Sequence, residues 1–525
     1  MTRKRRAASI MAIAWIAITG VAVMAQVIGT IDGFDITAVE QEAYWYSRYN
    51  LGHLTMRSGM GETFMPAPTM VEAMIAMADA DSMDGDEVTP PTNPALLRTV
   101  YAAGDPHWIQ AADDADFATM RWDEASFDRR VTGAGLGWTI VKEIEWAKQF
   151  HIDSHFGRPE DGFGAQWRFT GLALVAMAKM QAMAWMDLHE AGEMVMLDDG
   201  DPFVMLMALS DLADLLGAET MPHSISNRYR DDETAGTLAE VAHQQFDRVI
   251  AMATDRMSVK ESATAIQGLV WYAATTEDPQ RQSLALKRID HLGDRLIDLR
   301  KRGAAEIGYA LRGLIEVQRV SEREDCTREI ERLIRELGRQ YDEEHGVFTS
   351  QTKYSIDDVA AIVGGLNATR LYMEADVELV EEMLVGFFEG AVNLSGLQQS
   401  VPPIASGKSD FEQEDPEVFY GYSSLPLPGE VGEFGIAPVF GSSVTFERES
   451  GTWIDIDRRF DTAGAMHAAN EFIWMHADQV NGFPDVERLI GEVTEEERET
   501  QRTSIFLFLA GILAMIAGYV LLREN

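Results

Sequence analysis

Residues 286–341 read LKRIDHLGDRLIDLRKRGAAEIGYALRGLIEVQRVSEREDCTREIERLIRELGRQY. Apolar side chains recur in this stretch every three or four residues. The first series is Leu286, Ile289, Leu292 and Leu296, and two similar series follow it. This spacing places the apolar residues on one face of an α-helix. Because the connections between the three segments are short, we expect successive helices to be antiparallel neighbours.

A glycine-leucine pair recurs in helical segments that are rich in small residues. The pairs are Gly171-Leu172, Gly268-Leu269, Gly313-Leu314 and Gly365-Leu366. Each of these segments lies next to a segment rich in Arg, Asp and Glu. This alternation predicts stacked helical hairpins, in which the inner helices pack closely and the outer helices meet water.

These hairpins, with the stretch HGVFTSQTKYSIDDV at residues 345–359, resemble the six-hairpin (α/α) toroid superfamily, which includes many sugar-processing enzymes. The resemblance covers roughly residues 162–395. It implies a mainly α fold of antiparallel helical hairpins arranged as an (α/α) toroid. No catalytic signature accompanies it, and helical solenoids without enzymatic activity have the same pattern.

The rest of the chain divides by composition. Residues 30–161 are predicted to form an N-terminal helical lobe, ahead of the toroid at 162–395. Residues 396–490 are rich in Pro and Gly, and their strand-like runs at 444–446 and 453–456 predict a β-hairpin. A closing helix is expected from Thr462, followed by a charged juxtamembrane linker at 491–503.

Both ends of the chain are hydrophobic. Residues 1–29 carry the basic flank TRKRR and then an uncharged run, which is typical of either a cleaved signal peptide or a retained transmembrane anchor. Residues 504–522 form a second apolar run that predicts a C-terminal transmembrane helix. The flanking charges place both ends in the cytoplasm. We therefore expect a membrane protein with its body facing the outside of the cell.

The charge of the body excludes one class of partner. The chain has 85 Asp and Glu against 44 Lys and Arg, and its formal net charge is -41. Nucleic acid would be repelled by such a field, since phosphate binding needs the opposite sign. The acidic, lysine-poor composition resembles exported proteins of halophilic archaea, whose carboxylate repulsion is screened by molar salt.

Two pairs of residues are candidates for chemistry. Asp357 and Asp358 begin a predicted inner helix, where toroid enzymes place acids near their cleft, although acids are also favoured there by the helix dipole. His151 and His155 have the i, i+4 spacing of a metal-binding pair. The helix is expected to end beside them, so structural or capping histidines are the competing interpretation. The sequence predicts no cofactor.

The chain contains two glycosylation sequons. Asn367 lies in a predicted buried helix, whereas Asn393 lies near a helix end and is the better candidate for modification.

Three functional interpretations remain open. The first is a non-catalytic cell-surface protein that binds or scaffolds a glycan or another surface protein. The alternative is a carbohydrate-active enzyme of the (α/α) toroid type, which would need paired carboxylates at one end of the toroid. A metal or redox accessory role is the third, and it would need converging His or Met side chains.

Overall fold

The computed structural model of the chain describes residues 34–80, 88, 94–109, 121–151, 165–221, 226–374, 376–399, 436–475, 482–486 and 489. The predicted terminal segments at 1–29 and 504–522, the linker at 491–503 and His155 lie outside these described residues.

The described part of the chain is mainly helical, which confirms the predicted fold class at this level. Its helices in chain order are α1 Ile36–His53, α2 Pro68–Ala80, α3 Gly133–His151, α4 Ala165–Ala191, α5 Asp201–Gly217, α6 Asp232–Ile250, α7 Val259–Thr275, α8 Pro279–Asp298, α9 Ala304–Ser321, α10 Glu324–Gln340, α11 Ile356–Tyr372, α12 Val377–Phe387 and α13 Thr462–Ile473. Short π-helical turns at Leu54–Ser58 and Phe388–Leu394 continue α1 and α12.

Local sequence signals account for where several helices begin. Ser258 and Glu261 form a capping box at the start of α7, in which each side chain accepts a hydrogen bond from the other residue's backbone. Asp278 caps α8, and Pro279 occupies its first position.

The burial pattern separates two kinds of helix. The α8 and α10 helices bury a single stripe of residues, as the apolar spacing predicts. The α9 and α11 helices are buried almost all round. A helix that is buried on every side must be covered by other elements on every side.

Six of these helices form a closed series of contacts, which we call the six-helix cycle. It consists of α3, α5, α7, α9, α11 and α13, each packed on the next, and α13 packs back on α3. Each member also packs against one helix outside the cycle: α4, α6, α8, α10, α12 and α1, in the same order. The predicted division into lobes at residues 161/162 and 395/396 stays a prediction, but α3 and α13 both belong to this cycle.

The sheets are small and lie at the ends of helices. The predicted hairpin is present: β7 Ser443–Glu447 pairs antiparallel with β8 Thr452–Asp457, and β6 Lys353–Ser355 pairs with β7 on its other side. Because β6 leads directly into α11, this sheet fixes the start of that helix. Three two-stranded ladders complete the described sheets: β1 Thr63–Phe64 with β2 Leu96–Leu97, β3 Ala103–Gly104 with β9 Phe460–Asp461, and β4 Tyr341–Asp342 with β5 Val347–Phe348.

One described helix, α4, is long and apolar enough to cross a membrane by length and composition. In its most apolar window 67% of the residues are buried inside the protein, between α3 and α2. Core helices commonly pass the same test.

Three of the repeated glycines lie where neighbouring helices of the cycle approach most closely. A Cβ atom added at Gly268 of α7 would overlap the backbone carbonyl of Phe203 on α5. One added at Gly365 of α11 would overlap the carbonyl of Gly308 on α9. A Cβ atom added at Gly313 of α9 would lie 2.8 Å from the Leu296 side chain of α8 and 3.1 Å from the Ala263 Cα of α7. The Gly-Leu repeat therefore marks equivalent contacts between successive helices of the cycle. Gly171 does not share this role, because it lies on α4 outside the cycle.

Both sequon asparagines are buried. The Asn367 side chain donates a hydrogen bond to the Trp474 carbonyl at 3.1 Å, and that of Asn393 donates to Glu42 at 2.5 Å. The burial of Asn393 argues against modification in this fold, since a glycan on an enclosed amide is incompatible with the packing of α1 against the residues that follow α12.

Replacing Gly268 or Gly365 with Ala should lower the free energy of unfolding by about 1–3 kcal/mol each, because the added methyl group forces two backbones apart. Denaturant unfolding in high salt measures the change. The matched control is Gly236→Ala on α6, where an added Cβ meets no atom within 4 Å and should stabilise the helix by about 0.5–1 kcal/mol. Equal effects at all three positions would contradict the close-packing assignment.

Candidate functional site

Residues from the first two turns of all six helices of the cycle line one pocket. It encloses about 110 Å³, which holds several water molecules and is smaller than a typical pocket for a drug-sized ligand. The polar side chains in its wall are Asp198, Asp201, Lys260, Thr264, Tyr309, Asp357, Asp461 and His467, with Trp138 among the apolar ones. Since helix N-termini carry partial positive charge, their convergence favours the carboxylates gathered here.

Asp357 occupies the centre of this polar group. Its carboxylate accepts a hydrogen bond from His467 Nδ1 at 2.8 Å and pairs with Lys260 Nζ at 3.1 Å. Burial by itself would raise the pKa of Asp357, but the His467 hydrogen bond and the Lys260 charge outweigh it and hold this pKa well below the usual range. Asp357 is therefore an ionised carboxylate at neutral pH.

Lys260 bridges two carboxylates at the rim of the pocket. Its ammonium lies 3.1 Å from Asp357 and 3.3 Å from Asp198. Burial opposes the charged form, yet the two carboxylates raise the pKa of Lys260 above its ordinary value. The side chain is 44% exposed, so part of it is accessible from solvent.

His467 is held on four sides. Its ring stacks on Trp138 at a centroid distance of 4.5 Å and lies nearly parallel to Tyr309 at 5.9 Å. Nδ1 faces Asp357, and Nε2 lies 3.7 Å from Glu471 on the next turn of α13. Burial would lower the pKa of His467, but the hydrogen bond to Asp357 and the charges of Asp357 and Glu471 raise it above the usual value.

Tyr309 lies in the wall of the pocket. Its side chain is buried, and the hydroxyl faces Asp357 without completing an aligned hydrogen bond to any described residue. Burial, with the neighbouring Asp357 charge, raises the pKa of Tyr309 well above its ordinary value, so the group keeps its proton. The Tyr309 hydroxyl and the Asp357 carboxylate therefore form a polar pair in the pocket wall whose hydrogen bonding is not fully satisfied.

Two further acids in the wall differ from Asp357 in their ionisation. Burial raises the pKa of Asp201 to about 6, although its carboxylate accepts a hydrogen bond from the Leu197 amide at 2.8 Å. Asp461 caps α13 by accepting from the Gly464 amide at 3.0 Å, and burial raises its pKa as well. The pocket thus holds carboxylates whose environments push their pKa values in opposite directions.

The structure separates the two candidate acids, which are neighbours in sequence. Asp357 points into the pocket, whereas Asp358 closes a capping box with Ser355, accepting from its backbone amide at 2.9 Å. Burial raises the pKa of Asp358. The Asp358 carboxylate stabilises the start of α11, and Asp357 is the member of the pair available for binding or chemistry.

The candidate metal pair does not form a described site. His151 is the last residue of α3, and its Nε2 accepts a hydrogen bond from the Arg228 amide at 3.1 Å. Its ring meets the edge of Tyr229 at 5.2 Å. Within the described residues, no group of three His, Cys, Asp or Glu side chains is arranged to hold a metal ion.

Sequence reasoning located Asp357 but missed Lys260, Tyr309, His467 and Asp198. These residues come from four other helices or loops and are separated from Asp357 by between 48 and 159 positions. Their shared signal is weak: each lies within about two turns of a helix start, which is common for polar residues. Matching this chain to protein-family models and to curated proteins yields no relative.

Protonation of His467 should make stability depend on pH. Because its folded pKa is raised, His467 contributes stability that is present below its ordinary pKa of 6.5 and is lost as pH rises through the folded value. The raised pKa of Asp201 affects stability in a lower pH range, between 3.8 and about 6. The melting temperature above pH 6.5 should therefore fall less steeply in His467→Gln than in the unmodified protein.

The control for this measurement is His291→Gln, because His291 is exposed on α8 and outside the pocket. It should keep the original pH profile. Parallel profiles for His467→Gln and the unmodified protein would refute the assignment of the titration to His467.

Proposed function

We propose that this chain is a membrane-anchored protein of the cell exterior whose pocket binds a small polar ligand, with the saccharides of surface glycans as the first candidates. The observation that carries the proposal is the buried Tyr309 hydroxyl, which faces the ionised Asp357 and has no aligned partner among the described residues. A sugar hydroxyl can donate to the carboxylate and accept from the tyrosine at the same time.

We further propose that the body is an (α/α) toroid. The closed contacts of the six-helix cycle and the one helix packed outside each member support this assignment. The sequence pattern of the helical hairpins, which resembles that of the six-hairpin superfamily, agrees with the toroid assignment. In this arrangement the first turns of the six helices meet at one end, which is where the pocket lies.

The dimensions and charge of the pocket limit the ligand. A volume of about 110 Å³ admits a small molecule or one terminal unit of a longer chain. Lys260 and His467 offset two carboxylates in the wall, which favours a neutral, hydroxyl-rich ligand over a strongly charged one. The net charge of -41 supports an environment of high salt and argues against nucleic acid as a partner.

The membrane attachment and the outward orientation rest on the apolar terminal segments and their flanking charges. A glycan or another surface protein is the partner expected in that location.

Replacing Tyr309 with Phe should weaken saccharide binding by about 5- to 10-fold, the effect of losing one hydrogen bond. Titration calorimetry with a panel of mono- and oligosaccharides in molar salt measures the affinity. The melting temperature should stay unchanged or rise, because the removed hydroxyl has no aligned partner.

The control is Tyr272→Phe on α7, whose hydroxyl bonds His243 at 2.7 Å outside the pocket. It should lower stability by about 1 kcal/mol and leave affinity unchanged. Equal saccharide affinity in Tyr309→Phe and the unmodified protein would exclude the proposed contact.

The alternative is a carbohydrate-active enzyme, and one observation favours it. Asp357 is ionised while the pKa of Asp201 is raised to about 6 in the same pocket. Acid and base roles in hydrolysis need two carboxylates of opposite ionisation.

Turnover of oligosaccharides distinguishes the two functions. The binding proposal expects no release of reducing sugar from a broad glycan panel. An enzyme would lose its turnover in Asp357→Asn and keep it in Asp358→Asn, since Asp358 only caps α11 and its loss should cost about 0.5–2 kcal/mol of stability. Turnover with that dependence on Asp357 would replace the binding proposal by the enzymatic one.

A further inference from the structure

The end of the six-helix cycle opposite the pocket is covered by a short piece of the chain, Gly482–Val486. Phe483 of this segment lies against two guanidinium groups. The guanidinium carbon Cζ of Arg312 is 3.7 Å from the ring centroid, and that of Arg319 is 4.7 Å from it. The edge of Tyr372 completes its surroundings at 4.5 Å. Cation–π contacts of this kind stabilise most when they are shielded from water.

The backbone of the same segment is also bound. Arg312 donates to the Gly482 carbonyl at 2.8 Å, and Arg319 donates to the Pro484 carbonyl at 2.9 Å. Gly482 has a φ of +68°, and a Cβ atom added there would overlap the ring of Trp474. These contacts fix the position of the segment, with Gly482 against Trp474 and Phe483 over Arg312.

Arg312 links this segment to the pocket. It is buried on α9, and its guanidinium lies 3.5 Å from Glu471 and 3.4 Å from Glu316. Glu471 in turn lies 3.7 Å from His467 Nε2, and His467 Nδ1 bonds Asp357 at 2.8 Å in the pocket. A continuous series of charged contacts thus runs from the covered end of the cycle to the binding site.

We infer that the Gly482–Val486 segment regulates the pocket: by holding Arg312 in a dry position against Glu471, it sets the charge and hydrogen bonding of His467. This inference concerns regulation of the pocket and so rests on the proposed function for its biological meaning. The segment precedes the predicted juxtamembrane linker at 491–503 in the chain.

The groups that surround His467 determine the direction of the effect. Trp138 of α3 and Tyr309 of α9 cover its faces. Asp357 of α11 and Glu471 of α13 face its nitrogens, and both carboxylates favour the imidazolium form.

Each of these carboxylates is shared with a cation, Asp357 with Lys260 and Glu471 with Arg312. When the segment leaves, water reaches Arg312 and screens its charge. Glu471 then acts more strongly on His467, which should hold its proton to higher pH.

The pKa of each histidine can be measured in the full chain by hydrogen exchange at the imidazole C2 position, read by mass spectrometry. Phe483→Ala removes the ring that contacts Arg312 and Arg319, and Gly482→Leu adds a side chain that would overlap Trp474. Each should release the segment, and amide exchange over residues 482–486 measures that release. Both variants should raise the His467 titration midpoint by about half a pH unit or more. Arg312→Gln removes the charge directly and should shift the midpoint in the same direction.

The matched control is Phe64→Ala, which removes an exposed ring on β1 and should leave the midpoint of His467 unchanged. An unchanged midpoint in variants whose segment exchanges freely would overturn the inference. These titrations use ligand-free protein, so a failure of saccharide binding would not affect them, and a failure here would leave the binding proposal standing.

Discussion

The close approach of helix backbones within the six-helix cycle is the constraint on which the rest of the structure depends. Gly308 and Gly365 illustrate it, since each of them faces backbone atoms of the neighbouring helix that a side chain would displace. The six helices also have their N-terminal turns together at one end. The pocket exists because those first turns converge, and its polar residues come from separate helices for the same reason.

Converging helix starts also explain the electrostatics of the pocket. Each N-terminus favours a negative group nearby, and Asp201, Asp357 and Asp461 all stand at or next to helix starts. Burial opposes the ionised form of all three. Only Asp357 has both a cation and a histidine in contact, and only its pKa falls below the usual value. The different ionisation of similar residues therefore follows from their neighbours and not from residue type.

Charge extends from this site along α9 and α13. His467, Glu471 and Arg312 are all buried, and each contacts the next. Buried charges are costly to leave unpaired, so the loss of one partner affects the others. This is the physical basis for linking the Gly482–Val486 segment at one end of the cycle to the pocket at the other.

Much of the fold was predictable from local patterns. The apolar spacing in residues 286–341 predicted three helices, of which α8 and α10 bury a single stripe, and the glycine-leucine repeat marked the close contacts at Gly268, Gly313 and Gly365. The hairpin at β7 and β8 followed from its strand-like runs and its turn. These features depend on residues near each other in sequence, so periodicity and turn chemistry are sufficient to predict them.

The candidate site was predictable only in part. Asp357 and Asp358 are adjacent acids at the same helix start, so the sequence does not distinguish them. In the fold Asp357 lines the pocket, whereas Asp358 caps α11. Lys260 and His467 carry only a weak local signal, their position near a helix start, because their role depends on lying beside a carboxylate about 100 residues away in the chain. The sequence by itself determined composition, charge, helical periodicity and the places where backbones can touch. The tertiary structure alone decided which polar groups meet and which of them stay ionised, because burial and pairing are properties of contacts between distant parts of the chain.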